Sequence, residues 1–224
     1  MRLSIIIPVL NEADHLHIFL QALAPLRAQQ AELIVVDGGS TDGTARLAVP
    51  WADRVLTSTP GRANQMNAGA AVAYGEVLLF LHADTTLPDA ALVLIRDALT
   101  RSQRVWGRFD VRIAGRPRML TLIARMMNTR SRLSGIATGD QAIFVRRTSF
   151  IAVGAYPVQP LMEDIELSRR LKRLSPPVCL SQRVTTSGRR WETRGVWRTI
   201  WLMWRLRLLY WLGTPAEQLA RDYR

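Results

Sequence analysis

LIVVDGGSTDGT, residues Leu33 to Thr44, decides how this sequence is to be read. Four apolar residues run into Asp37, and a loop of glycines and hydroxyls carrying a second acid, Asp42, follows. A short apolar run bounded by turn residues fits a strand buried on both faces. A carboxylate at its end, with so little side-chain bulk beyond it, leaves room for a ligand. The neighbouring segments extend the pattern. LSIIIPVL (3–10) is an apolar run closed by Pro8, because proline cannot donate in a central ladder. ELIVVD (32–37) is a second strand, DRVLTS (53–58) a weaker third and EVLLFLHAD (76–84) a fourth. Helices are expected between them. Asn11 can cap one that carries His15, Ile18, Phe19 and Leu23 at helical spacing. RANQMNAGAAVAYG (62–75) is a second, rich in small residues, and PDAALVLIRDAL (88–99) opens with Pro88 at a helix start. Apolar strands separated by helices predict an α/β fold: a mostly parallel sheet with helices on both faces.

Length and composition agree with one domain, or one domain with an appendage. The chain has 224 residues, 48% hydrophobic and 21% charged, and shows neither internal repeats nor a Gly/Ser linker. A single cysteine, Cys179, excludes an internal disulfide and any CxxC zinc or redox motif. Its surroundings, SPPVCLS (175–181), read as a short buried strand with a structural thiol. The apolar start is too short for a signal peptide and is read as the first strand of a cytoplasmic protein. The net charge of +12 is uneven: residues 1–100 hold 6 Arg and Lys against 10 Asp and Glu, residues 101–224 hold 24 against 8. Helix-turn-helix, RNP-type and zinc-finger patterns are all missing, so no nucleic-acid partner is expected. The basic half suits an anionic acceptor or a membrane surface.

The polar residues gather at one place. Asn11 and Glu12 follow the first strand, Asp37 to Asp42 the second, Gly61 and Arg62 the third, while His82 and Asp84 close the fourth. Open parallel sheets bind ligands at the carboxyl ends of their strands, and four such loops make a site. The position after strand one reads PVLNEAD instead of GxGxxG, and there is no GxxxxGK[ST]. Several carboxylates fit a divalent cation escorting a diphosphate. Asp37 and its loop would then receive a nucleotide's base and ribose, whereas Asp42 and Thr44 read as an ordinary turn and helix cap.

IIIPVLNE, VVDGGSTDGT, GRANQMNAGAAVAYGEVLLFLHADT, GDQAIFVRRTSFIAVGAYP and LMEDIELSRRL, in this order and spacing across roughly residues 3–175, resemble the family 2 glycosyltransferases, which have the GT-A fold. The HADT and TSGRRWETRG variants look like the subgroup associated with arsenosugar biosynthesis. The resemblance implies an inverting transfer of a sugar from a nucleotide-diphospho-sugar, UDP favoured, to a hydroxyl acceptor, assisted by Mn2+ or Mg2+. It places Pro8, Asn11 and Glu12 in the base pocket, Asp37 on the base or ribose, and Arg62 with Asn67 beside the nucleotide. Asp84 would hold the metal that bridges the donor phosphates. Asp164 matches the general base, and Gly139, Asp140 and Gln141 would shape the wall between donor and acceptor. Glu163 would be structural or set its neighbour's pKa. His82 departs from the family's DxD motif: an imidazole can ligate Mn2+ but suits Mg2+ poorly, and a hydrogen-bonded strand-end histidine is an equal reading. The alternatives are a sugar-1-phosphate nucleotidyltransferase, which needs a glycine-rich basic loop after strand one, and a non-catalytic nucleic-acid or membrane-binding module.

The last third extends the resemblance. In TSGRRWETRG, Arg189, Arg190 and Trp191 hold the position of a loop that in the family closes over the diphosphate, and guanidinium groups offer planar paired donors to phosphate, the competing reading being a solvated basic loop. A transferase domain is expected over 1–195 and a C-terminal helical appendage over 196–224. VWRTIWLMWRLRLLYWLG (196–213) is too charged for a confident span. Arg198 and Arg205 share a face that Arg207 opposes. Trp with Arg is typical of interfacial helices, so this helix is expected to meet the inner face of a membrane or a second subunit, with packing on the domain core as the alternative.

Overall fold

A computed structural model describes residues 1–223. Eight strands form one sheet in the order β3-β2-β1-β4-β7-β6-β8-β5. These are β1 (Leu3–Val9), β2 (Glu32–Asp37), β3 (Arg54–Thr57), β4 (Val77–Phe80), β5 (Thr85–Thr86), β6 (Trp106–Ala114), β7 (Phe144–Arg146) and β8 (Val178–Ser187). The first four pair in parallel, β7 runs antiparallel to β4 and β6, β8 is parallel to β6, and β5 is antiparallel to β8.

Strand periodicity divides the core. Ile5, Ile7, Leu33, Val35 and Leu79 face one side, where they meet Leu16, Leu20 and Leu23 of α1 (Ala13–Ala28), Ile95 of α4 (Ala91–Arg101) and Ile123 of α5 (Met119–Ser134). Ile6, Ile34, Val36, Leu78 and Phe80 face the other. There they pack on Met66 and Ala70 of α3 (Arg62–Val72), Phe150 of α6 (Arg147–Ala152) and Leu167 and Leu171 of α7 (Glu163–Lys172). Both faces are covered, which is why these strands read as continuous apolar runs. The remaining helices are α2 (Thr44–Ala48), α8 (Arg189–Arg194), α9 (Val196–Trp211) and α10 (Ala216–Tyr223). Leu206 of α9 and Leu219 of α10 form a small cluster with Leu161 and Met162, so the C-terminal helices dock on the loop that precedes α7. Among the described residues no helix is long and apolar enough to cross a membrane.

Three expectations are corrected. Asn11 does not cap α1: its backbone has φ 52° and its side-chain oxygen accepts from Thr41 N–H (2.9 Å), which ties the loops after β1 and β2 together. The α1 stripe is Leu16, Leu20, Leu23 and Leu26, while His15 and Ile18 face outward. The short strand expected around Cys179 is ten residues long and half-buried, because it lies near the edge of the sheet next to the two-residue β5.

Candidate active site

Each carboxyl-end loop is fixed by polar contacts of its own. The Asp37 carboxylate accepts from the backbone N–H groups of Gly39 (3.0 Å) and Ser40 (2.9 Å) and from the Ser40 hydroxyl. Asp42 accepts from Ala13 N–H (3.0 Å) and Thr44 N–H (3.0 Å), the turn-and-cap role expected of it. Ser40 Oγ in turn accepts from Asn11 N–H (2.8 Å), and Thr44 Oγ1 from Glu12 N–H (2.9 Å). The loops after β1 and β2 are therefore one unit. Glu12 reaches out of it to Arg189 at 3.7 Å, joining it to the N-terminus of α8.

A polar cavity of about 270 Å3 opens beside this unit, at the carboxyl end of β4. It brings together Arg62, His82, Asp84, Gly139, Asp140, Glu163, Asp164, Arg189, Arg190 and Trp191, all singled out in the sequence. Asn11 and Glu12 stand on the neighbouring loop unit with Asp37 at the end of β2, Pro8 lies inside β1 opposite Val36 and does not close that strand as expected, and none of the four lines the cavity. Asn67 is spent elsewhere: its amide donates to Tyr156 O (2.9 Å) and its oxygen accepts from Tyr156 N–H (3.0 Å), which pins α3 to the chain before α7. Gln141 is buried in a capping box with Thr138 and leaves the wall to Gly139 and Asp140.

The acids differ in surroundings. Asp164 lies in the first turn of α7, after Met162 in the left-handed region (φ 64°). Its Oδ2 accepts from Gly139 N–H (2.9 Å) and its Oδ1 from Ile165 N–H (2.7 Å). An ionised carboxylate has about four lone-pair sites, so roughly two remain to take a proton. The helix N-terminus stabilises the anion. Glu163 beside it is buried, and burial, then the Asp164 charge, push its pKa up. A raised carboxyl pKa contributes stability below the usual Glu value, and that contribution is lost as pH rises through the raised one. Glu163→Gln is therefore expected to unfold at higher urea than wild type at pH 7, with the gap closing toward pH 4. An equal gap at both pH values would contradict this.

His82 closes β4 with its Nδ1 3.6 Å from Asp140 Oδ1. Burial works against the Asp140 carboxylate, but His82, then the charges of Arg62 and Arg207, outweigh it and hold its pKa below the ordinary value. The His82 ring packs directly on Gly139, where any Cβ would overlap its Cε1 and Nε2. Gly139→Ala is expected to displace His82 and cost about 1–3 kcal/mol, the usual penalty of overpacking. Denaturant unfolding at wild-type stability would show that the ring has room to move.

Thr138, Thr199, Met203 and Tyr223 of the cavity carried no distinguishing sequence signal, and Arg207 stood out only for opposing Arg198 and Arg205 on its helix. Arg190 stacks on the Tyr223 ring, 3.7 Å from its centroid, and donates to the Tyr223 carbonyl (3.2 Å). Burial lowers the Arg190 pKa, as it does that of Arg207. Among the described residues no group of three His, Cys, Asp or Glu side chains could hold a metal ion. Asp84, which lines the cavity and accepts one hydrogen bond from Thr85 Oγ1 (3.2 Å), still fits a hard divalent cation. Such ions take one or two carboxylates and complete their shell with substrate phosphates and water.

The sequence model of glycosyl transferase family 2 matches residues 4–153. A PGL/p-HBAD biosynthesis glycosyltransferase of Mycobacterium tuberculosis (strain ATCC 25177 / H37Ra) is 34% identical over 171 residues, 68% of this chain and 62% of that protein. The chain thus spans less than two thirds of that relative's length. The UDP complex of S. aureus TarS residues 1–349 superposes with a TM-score of 0.67 at 18% identity, covering 84% of this chain and 60% of that one. Glucosyl-3-phosphoglycerate synthase from Mycobacterium tuberculosis, with Mn2+, UDP and glucosyl-3-phosphoglycerate, gives 0.60 at 21% identity, covering 83% and 70%. At these identities the likeness speaks to the fold, which is GT-A.

Proposed function

The chain belongs to glycosyl transferase family 2, and on that premise we propose that it moves a sugar from a UDP-linked donor to a hydroxyl acceptor, with inversion and with Asp164 as general base. The observation that carries this reading is the meeting of His82 and Asp84, from the segment after β4, with Asp164 of α7 on one cavity beside the Asp37 loop unit. UDP is present in both superposed structures and Mn2+ in one. The Asp37 unit would receive the base and ribose. Arg62, Arg189 and Arg190 would hold the diphosphate, with Trp191 beside them, and Asp84 would hold the divalent cation. That cation, when bound, neutralises charge on the leaving diphosphate. Asp164 would take the acceptor's proton as its oxygen attacks C1 of the sugar, so that attack and departure occur on opposite faces. Glu163 and Asp140 line the same cavity as the base.

A sugar-1-phosphate nucleotidyltransferase would need a glycine-rich basic loop after β1, where this chain has Asn11 and Glu12. Calorimetry with UDP-, GDP- and dTDP-sugars, in Mn2+, Mg2+ or a chelator, tests the donor assignment. Metal-dependent binding of UDP-sugars is expected, and binding that prefers another base would move the donor class. The metal preference should respond to His82. His82→Asp exchanges a nitrogen for an oxygen ligand and is expected to shift activity from Mn2+ toward Mg2+. If the ratio of activities with the two metals stays as in wild type, His82 serves Asp140 and Gly139 and not the metal.

A further inference from the structure

Beside the polar cavity lies a second space that this reaction scheme leaves unused. It runs between α5 and α9, with a volume of about 520 Å3. Ile123, Met126 and Met127 of α5 line it together with Ile200, Met203 and Trp204 of α9. Asp140, Trp191, Met203 and Arg207 belong to both spaces, so the groove shares a wall with the polar cavity.

That shared end holds two arginines against the single carboxylate of Asp140, and the Asp164 charge also acts on both. Arg130 and Arg207 line it, close enough that the Arg207 charge, after burial, helps lower the Arg130 pKa to about 10. Among the described residues neither takes part in an ion pair. Arg130 Nε and Nη2 are buried with no hydrogen-bond partner. Buried donors in native structures are nearly always satisfied, and the Asp140 and Asp164 charges that act on these arginines leave the two Arg130 donors without a partner. Charge and shape therefore call for one occupant: an oxyanion at the arginines, with apolar matter behind it. The surroundings suit such a molecule. Leu122, Met126 and Leu133 of α5 and Trp197, Trp201, Trp204 and Trp211 of α9 are all exposed around the groove's two helices. The tryptophans recur at helical spacing along one face, the arrangement of a helix that lies on a lipid surface.

We propose that the acceptor is an amphiphile whose apolar tail lies in the α5–α9 groove and whose anionic headgroup is held by Arg130 and Arg207, which brings its reacting hydroxyl to Asp164. This rests on the transferase reading, and it adds the class of acceptor. The arginines bind the headgroup by paired charged donors, and the groove selects for tail length by burial. A phosphate and a carboxylate would both satisfy them.

Calorimetric titration of the full chain with hexyl, octyl and decyl phosphate, each below its micelle-forming concentration, tests the proposal. Affinity is expected to rise about fourfold per methylene until the groove is filled. Arg130→Gln should weaken decyl phosphate binding by about 10- to 100-fold, the worth of hydrogen bonds to a charged group. Decanol should bind wild type more weakly than decyl phosphate does, and decanoate run alongside tells which headgroup is preferred. Met126→Asp, a half-exposed rim position, should weaken decyl phosphate while UDP binding in Mn2+ and the melting temperature stay as in wild type. Affinity that ignores tail length, or that survives Arg130→Gln, would mean adsorption on the exposed tryptophans and would overturn the proposal. Failure of the transferase reading shows separately, as loss of UDP binding in the wild-type titration.

Discussion

Asp164→Asn is expected to lower turnover by roughly 10²–10⁴-fold, the usual worth of a positioned general base, while donor and metal affinity stay nearly unchanged. The split follows from where the side chain stands. Its two oxygens hold the N–H groups of Gly139 and Ile165, and neither contact reaches Arg62, Arg189 or Asp84, the groups assigned to the donor. If Asp164 only finished the N-terminus of α7, the same substitution would cost a few tenths to about 1 kcal/mol of stability and little else, because Asn serves there almost as well. Melting temperature, UDP affinity and turnover measured on one preparation separate these outcomes. A variant that melts slightly lower yet transfers sugar at the wild-type rate would leave the mechanism without its base.

Asp84→Asn is expected to erase the metal-dependent part of nucleotide binding. No cluster of three ligating side chains exists among the described residues, so a cation held as proposed would take Asp84 and the donor's own phosphates as its anionic ligands. Removing that one charge should make UDP affinity the same in Mn2+ as in a chelator, whereas wild type is expected to bind more tightly with the metal. The fold should persist, since among the described residues the Asp84 carboxylate accepts only from Thr85 Oγ1. Unchanged metal dependence in the variant would move the cation away from Asp84.

Much of this was legible in the sequence because strands buried on both faces announce themselves. ELIVVD was read at its observed boundaries, Glu32–Asp37, since all six residues are buried and the loop that follows cannot continue a strand. The ends of β1, β2 and β4 then placed Asp37, His82 and Asp84 without any knowledge of packing. What stayed hidden depends on contacts between distant segments. Arg130 is one arginine among several on α5, and only the approach of α9 sets it beside Arg207. Arg207 itself was read as spoiling the amphipathic pattern of α9. It does so because that helix has two faces at work, one turned to the cavity and one bearing exposed tryptophans. On α1, Phe19 and Leu23 pack on the core as expected, while His15 and Ile18 face outward for a related reason: His15 and Leu16 are neighbours, and only the sheet decides which faces inward. Asn67 illustrates the reverse error. A polar residue near a nucleotide-binding helix is a fair candidate for the ligand, yet the left-handed turn at Ala155 brings the backbone of Tyr156 within reach of its amide.

Proton NMR of the wild-type chain hydrolysing an α-linked UDP-sugar, the donor picked out by calorimetry, tests the central claim most directly, because water can stand in for the acceptor. If a nucleophile deprotonated by Asp164 attacks C1 opposite the leaving diphosphate, the β anomer of the free sugar appears first and equilibrates only later. The Asp164→Asn variant should form it far more slowly. Appearance of the α anomer first would contradict direct displacement and with it the role given to Asp164.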